Sequence, residues 1–179
     1  MSEKQSVAIS IRPASPNDAA GVLAHVSQTS KETSFLTMGS EGPKITVEEE
    51  KHHLKKIDES DNNFLLLALD GENIVGMASI NGGSSPKVKH IGELGVSIVK
   101  DYWGMGLGTL LLEDIIEWAA ASGVIKRLEL TVQARNKRAI HVYEKLGFLQ
   151  EAVMQRGVKD DDGSYLDVCL MSLLIGETE

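Results

Sequence analysis

The apolar and polar positions of this chain alternate between two periods, and the switches mark its elements. Residues 7–11 alternate at period two, as a strand does. Ser15-Pro16-Asn17-Asp18 then reads as a helix start, with Val22, Leu23 and Val26 inward on a helix running to about Gln28. Residues 30–45 contain Gly39, Gly42 and Pro43 and read as a loop. The capping box Thr46-x-x-Glu49 opens a second, charged helix over 46–59. Two strands, 64–69 and 74–80, flank the hairpin signal Asp70-Gly71-Glu72-Asn73. A turn at 81–86 leads to a third consecutive strand from about 88 to 99. Leu107, Leu111, Ile115 and Trp118 share one face of a helix over 106–121, which Gly123 closes. A strand at 128–132, a short helix at 136–146 with Gly147 as its C-cap, and a hairpin of 148–156 with 165–174 complete the chain. The order β-α-α-β-β-β-α-β-α-β-β predicts an α/β fold with a mixed sheet.

Composition narrows the function classes. The 179 residues show no repeat or linker and read as a single domain over 1–179. A net charge of -8 without any cluster of Lys and Arg excludes sequence-independent binding to nucleic acid. Cys169 is the one cysteine, so no intrachain disulfide forms, and its place in an alternating apolar run predicts a buried core residue. The opening MSEKQSVAIS lacks a signal-peptide layout and no apolar run approaches a membrane span, so a cytoplasmic protein is expected. His52 and His53 are adjacent, and His25, His90 and His141 lack paired ligand spacing. Asp160-Asp161-Asp162-Gly163 lacks the alternating oxygens of a calcium loop and reads as a hairpin turn. No metal is expected.

The chemistry concentrates in Tyr102-Trp103-Gly104-Met105-Gly106-Leu107-Gly108-Thr109, which lies between a strand and a long helix. Alternate glycines let a ligand approach the main chain, and the helix start adds unpaired N–H donors and a partial positive charge. The segment is therefore a phosphate cradle. A nucleoside triphosphate loop would need Gly-Lys-Ser/Thr at its end, and there is no lysine here. A dinucleotide turn would need a third glycine where Thr109 stands, although Glu129 lies at the spacing of a ribose-binding acid. Three preceding strands in a meander also fit that reading poorly.

The residues resemble those of the GNAT N-acetyltransferases. Trp103-Gly104-Met105-Gly106-Leu107-Gly108 is similar to that family's Arg/Gln-x-x-Gly-x-Gly/Ala signature, with Trp103 in the Arg/Gln position. Asn136-x-x-Ala139-x-x-x-Tyr143-x-x-x-Gly147-Phe148 is similar to the second signature, at the right distance from the first. The resemblance covers nearly the whole chain and looks closest to the branch holding ribosomal-protein N-terminal and small-molecule N-acetyltransferases. It implies a mostly antiparallel sheet of about seven strands, open in a V between the fourth and fifth, with about four helices. It also implies acetyl-CoA as co-substrate. The pantetheine arm would pair with main-chain groups of Val96, Ser97 and Ile98, and the pyrophosphate would take N–H bonds from Gly104, Met105, Gly106, Leu107, Gly108 and Thr109. Asn136 would bond the pantetheine arm or cap its own helix, and Ala139 belongs to the same signature.

Acetyl transfer to an amine needs a base, because an amine of pKa near ~10.4 is protonated at neutral pH. Glu93, beside the expected acetyl position, is the candidate, or else a solvent-facing strand residue. By the resemblance, a main-chain N–H near Ile98 would bind the oxyanion and Tyr143 would protonate the leaving thiolate. Glu32 and Phe35 after the first helix, and Tyr165 and Asp167 on the last strand, are candidates for the acceptor pocket. The expected activity is direct acetyl transfer in a ternary complex to a small-molecule amine or a peptide N-terminus. A non-catalytic acyl-CoA-binding sensor is the alternative, and a homodimer is a further expectation from the family.

Overall fold

The computed structural model describes residues 8–36 and 39–176. Residue 7 of the first predicted strand, residues 37–38 of the predicted loop and both chain ends lie outside the described residues.

Strand β1 (Ile9–Pro13) is followed by a single 3-10 turn and helix α1 (Ala19–Glu32). The turn is set by Asp18, whose carboxylate accepts the Ser15 N–H at 2.7 Å and an N–H from each terminal guanidinium nitrogen of Arg12 at 2.8 Å. That pairing holds the Asp18 carboxyl at about 2, well below its ordinary range. Helix α2 (Val47–Asp58) begins at the expected capping box, with the Glu49 N–H on Thr46 Oγ1 at 3.2 Å and the Thr46 N–H on Glu49 Oε2 at 2.7 Å. Then come β2 (Phe64–Asp70), β3 (Asn73–Gly82), β4 (Ile91–Ile98), α3 (Leu107–Ala121), β5 (Arg127–Gln133), α4 (Lys137–Lys145), β6 (Leu149–Lys159) and β7 (Tyr165–Leu174).

The seven strands form one sheet in the order β1-β2-β3-β4-β5-β7-β6. Every neighbouring pair is antiparallel except β4 with β5. The fold class expected from the sequence is the one observed. Strand β2 reads Phe-Leu-Leu-Leu-Ala-Leu because both of its faces are covered. Leu65, Leu67 and Leu69 pack with Ala19 and Val22 of α1 and Leu54 of α2. Leu66 and Ala68 join the other core, where Leu111, Leu112 and Ile115 of α3 meet Leu94, Leu128 and Leu130. Leu111 and Ile115 are fully buried, each contributing about 1.5–3 kcal/mol. That burial fixes α3, and with it the direction in which its N-terminus points.

Most boundaries shift by only one or two residues from the sequence reading, and three differ by more. Helix α1 continues to Glu32, beyond the expected Gln28. Strand β4 begins at Ile91 because the residues before it coil, with the Val88 N–H on Ser85 O and the Ile91 N–H on Val88 O. Strand β6 runs on to Lys159 across a bulge between Met154 and Val158, where Arg156 takes φ 54°. No helix among the described residues is long and apolar enough to cross a membrane.

Candidate active site

The parallel pairing of β4 with β5 is short. It joins Ile91 to Arg127, Gly92 to Leu128 and Glu93 to Glu129, and then stops, although both strands continue. Hydrogen bonds at their outer sides fix which main-chain groups face the gap. Val99 N–H bonds Val75 O and Gly83 N–H bonds Ile91 O, so the bonded β3–β4 pairs involve the odd-numbered residues of β4. Val96 and Ile98 consequently present their N–H and C=O groups to the opening. By the same argument, Ala134 N–H on Asp167 O and Ile175 N–H on Lys126 O turn the even-numbered residues of β5 toward β7. Thr131 and Gln133 then face the opening from the other side. The main chain of Ser97, expected among the groups in the gap, belongs instead to the ladder with Met77.

The glycine segment lies at the wide end of this V. Gly104 and Gly106 take φ values of 77° and 79°, which place the chain in the left-handed region just before α3. No side chain caps the helix, and Leu110 N–H, bonded to Gly106 O at 3.1 Å, is the first amide with a helical acceptor. The N–H groups of residues 104–109 have no partner among the described residues. Within the first turn of α3, a Cβ on Gly108 would meet only Ile98 Cγ1, at an ordinary 3.8 Å. Packing inside the protein therefore does not demand glycine there. The open space above the main chain is what a phosphate-bearing ligand would fill.

Three hydrogen bonds staple the segment leading into the cradle. The Lys100 N–H donates to the Glu32 carboxylate at 2.7 Å, the Tyr102 hydroxyl to Asp70 at 2.6 Å, and the Trp103 indole to Ile98 O at 2.8 Å. Trp103 thus occupies one carbonyl of the opening, leaving the Ile98 N–H and both Val96 groups free.

Glu93 stands where the parallel pairing ends. The β3–β4 register runs without a bulge, so its exposed side chain lies on the face opposite Leu94 and Val96. Its neighbour Glu129 is held by Arg127 at 2.8 Å, and Arg127 also grips Glu151. Glu93 has no ion-pair partner among the described residues. Tyr143, on α4, packs edge-on against Phe148 with ring centroids 5.8 Å apart. Burial pushes its phenol up to about 12, so it stays protonated at neutral pH. Asn136 caps α4, its Oδ1 accepting the Ala139 N–H at 3.3 Å, and Ala139 packs against the core.

The loop after α1 closes over one side of the opening. Gln133 Nε2 donates to Ser34 O at 2.9 Å, and Arg135 donates to Ser34 Oγ at 3.2 Å while its guanidinium lies 5.4 Å from the centre of the Phe35 ring. Beneath this loop is a cleft of about 130 Å³ lined by Phe35, Thr131, Gln133, Met154, Gly157, Val158 and Val168. Phe35 is the sequence candidate that lies there. Glu32 is committed to Lys100 and Gln28, and Asp167 accepts the Arg156 N–H across the β6 bulge at 3.1 Å. Tyr165 is exposed at the far end of the hairpin, opposite Lys159.

His25 carries a role that its spacing did not announce. It is buried, with Nδ1 3.2 Å from Ile74 O and Nε2 2.9 Å from Ser97 Oγ. A carbonyl can only accept, so Nδ1 holds the proton and the Ser97 hydroxyl donates to Nε2. Burial lowers the His25 pKa below its ordinary value.

A splayed parallel strand pair with a glycine cradle at its open end defines a protein built to hold an extended, phosphate-bearing ligand. The family model described as "Acetyltransferase (GNAT) family" matches residues 32–148, and the chain belongs to that family. A GNAT-family acetyltransferase of known structure from Streptococcus pneumoniae is 44% identical, with a TM-score of 0.92 over 94% of this chain and all of that one. The Salmonella typhimurium protein yncA, solved with its cofactor acetyl-CoA, shares the fold with a TM-score of 0.84 at 20% identity, covering 96% of each chain. The Escherichia coli L-amino acid N-acetyltransferase AaaT is 29% identical over 60% of this chain, a match that spans 65% of its own length. The [Ribosomal protein bS18]-alanine N-acetyltransferase of Salmonella typhimurium is 36% identical over 45% of this chain and 53% of its own length.

The neutral His25 makes stability depend on pH. An unfolded chain takes up this proton near pH ~6.5, whereas the native state resists it, so protons favour unfolding below that value. Urea denaturation of the wild type should show stability falling as pH drops from 7 to 5, with a shallower fall in His25→Gln. Parallel curves for the two proteins would remove His25 as the source.

Proposed function

We propose that this protein is an N-acetyltransferase that moves the acetyl group of acetyl-CoA to a primary amine by direct attack in a ternary complex. The observation that carries this reading is the convergence on one opening of the main-chain groups of Val96, the free N–H of Ile98 and the unpaired N–H groups at 104–109. The pantetheine arm pairs with the main chain of Val96, the Ile98 N–H is left for the acetyl oxygen, and the pyrophosphate lies on the N–H groups of Gly104, Met105, Gly106, Leu107, Gly108 and Thr109. Each helix-end contact is modest, about 0.3–1 kcal/mol, so the cradle works by number.

The amine nitrogen attacks the thioester carbonyl carbon, and the carbon–sulfur bond breaks. The amine proton passes to Glu93, directly or through water, which suits an exposed carboxylate without an ion-pair partner. The Ile98 N–H faces the carbonyl oxygen as negative charge develops there. Tyr143 supplies the proton that the departing thiolate takes up, as a phenol kept protonated by burial is suited to do. Asn136 and Ala139 hold α4 in the orientation that presents Tyr143.

On the acceptor side, Phe35 forms a wall of a cleft that mixes the apolar Met154, Val158 and Val168 with the polar Thr131 and Gln133, and Tyr165 lies at the outer rim of the hairpin. Glu32 and Asp167 act by holding the loop and the bulge in place. This arrangement supports an amine carried next to an apolar group, either on a small molecule or at a peptide N-terminus. The two named relatives act on L-amino acids and on a ribosomal-protein alanine, which is in keeping with that choice. We further place this protein in the cytoplasm, as one domain over 1–179. The exposed edge of β6 is the surface on which a second copy would pair.

Release of free thiol from acetyl-CoA, measured across apolar amino acids, short peptides and polyamines, tests the reading. Turnover with amino acids or peptides is expected. Acetyl-CoA binding without turnover on any amine would favour a sensor, and absence of binding would overturn the site.

Two substitutions separate the roles. Tyr143→Phe should lower kcat by roughly 10²-fold, at the low end for acid–base groups, while acetyl-CoA affinity measured by calorimetry stays the same. Unchanged turnover would remove Tyr143 from the chemistry. Gly108→Ala should leave thermal stability unchanged or raise it by up to about 1 kcal/mol, since alanine favours helix. The same variant should bind acetyl-CoA more weakly, and undiminished affinity would contradict the cradle.

A further inference from the structure

The cradle has main-chain donors but no cation of its own, since residues 103–113 contain neither Lys nor Arg. Trp103 has no charge to offer and spends its indole N–H on Ile98 O. A guanidinium nevertheless reaches the cradle from another element. Arg138, in the first turn of α4, brings Nη2 to 3.7 Å from the place a Cβ would occupy on Gly104. Arg12, Arg127 and Arg135 are each held by a carboxylate, whereas Arg138 has no such partner among the described residues. In a chain of net charge -8, an uncompensated guanidinium beside a row of unpaired N–H groups is an unusual placement.

We infer that Arg138 is a ligand of the acetyl-CoA diphosphate and supplies the side-chain charge of the cradle. The inference rests on acetyl-CoA being the ligand of this site. Guanidinium offers several N–H donors in a planar fork that matches phosphate oxygens, and charge-assisted bonds of this kind are stronger than neutral ones. Its approach to Gly104, where the chain turns into the cradle, points to the diphosphate and not to the 3′-phosphate at the far end of the nucleotide. The placement also joins the two glycine- and tyrosine-bearing segments functionally. The helix that presents Tyr143 would be tied to the phosphates through Arg138, five residues earlier on α4.

Calorimetric titration of the full-length protein with CoA and with dephospho-CoA, which lacks only the 3′-phosphate, tests this. Lys137→Gln, an exposed neighbour on the same helix, serves as the control for general charge. Arg138→Gln should weaken both ligands about tenfold, the lower end for a hydrogen bond to a charged group, without a change in melting temperature. Lys137→Gln should stay within twofold of wild type. Loss confined to CoA would assign Arg138 to the 3′-phosphate and overturn the inference. Equal affinity of Arg138→Gln and wild type would make Arg138 a solvated surface charge, and an equal loss in Lys137→Gln would reduce the effect to net charge. If the wild type bound neither ligand, the acetyl-CoA reading itself would fail before the role of Arg138 came into question.

Discussion

The structure depends on the point at which β4 and β5 stop pairing. Up to Glu93 and Glu129 the two strands share hydrogen bonds, and beyond them each keeps its partner on the far side only. Buried main-chain groups are rarely left unpaired, so a sheet interrupted in its middle needs something to fill the gap. The groups in question, those of Val96 and Thr131 with the N–H of Ile98 and of Gln133, line an open cleft, while the Ile98 and Gln133 carbonyls accept from the Trp103 indole and the Asn136 N–H. The fold thereby exposes two strand edges in the interior of a sheet whose other neighbouring strands stay paired, with bulges in β2–β3 and β6–β7.

Two sets of contacts hold that opening in shape. Below it, Leu111, Leu112 and Ile115 pack α3 against Leu94, Leu128 and Leu130 of the diverging strands. Above it, the loop at Ser34 is tied to Gln133 and Arg135 on the β5 side. Glu32 links the two ends of the site, because it closes α1 just before that loop and accepts the Lys100 N–H just before the cradle. The acceptor side and the phosphate side therefore share a strut. Trp103 adds a bond from the cradle to Ile98, which aligns the glycine segment with the strand that would carry the pantetheine arm.

Much of this was legible in the sequence. Period-two and helical patterns marked every strand and every α-helix, and the spacing of Gly104, Gly106 and Gly108 from Asn136 and Tyr143 carried the family. What the sequence could not display were contacts between remote segments. Glu32 and Asp167 were reasonable candidates for binding a cationic acceptor, yet each meets a main-chain N–H whose position only the fold determines. The register of β3 with β4 decides that the Ser97 main chain pairs with Met77, away from the gap, while its hydroxyl meets His25, a residue 72 positions earlier in the chain. Ser34 and Gln133 meet across 99 residues. Nothing in the local sequence sets Arg138 apart from Lys137, and only the placement of α4 brings its guanidinium beside Gly104. The bulge in β6 escaped notice because its residues Gln155, Arg156 and Gly157, set against the single Asp167, are exposed and interrupt no apolar pattern.

In the proposed reaction the free main-chain groups of one cleft hold acetyl-CoA. Amide nitrogen–proton spectra of labelled protein, recorded during titration with acetyl-CoA, address those groups individually. Saturable shifts concentrated at Val96, Ile98 and residues 104–109, with Met77 and Ser97 less affected, are the predicted result. Saturable shifts that leave the glycine segment and β4 unmoved, or no saturable shifts at all, would contradict the account.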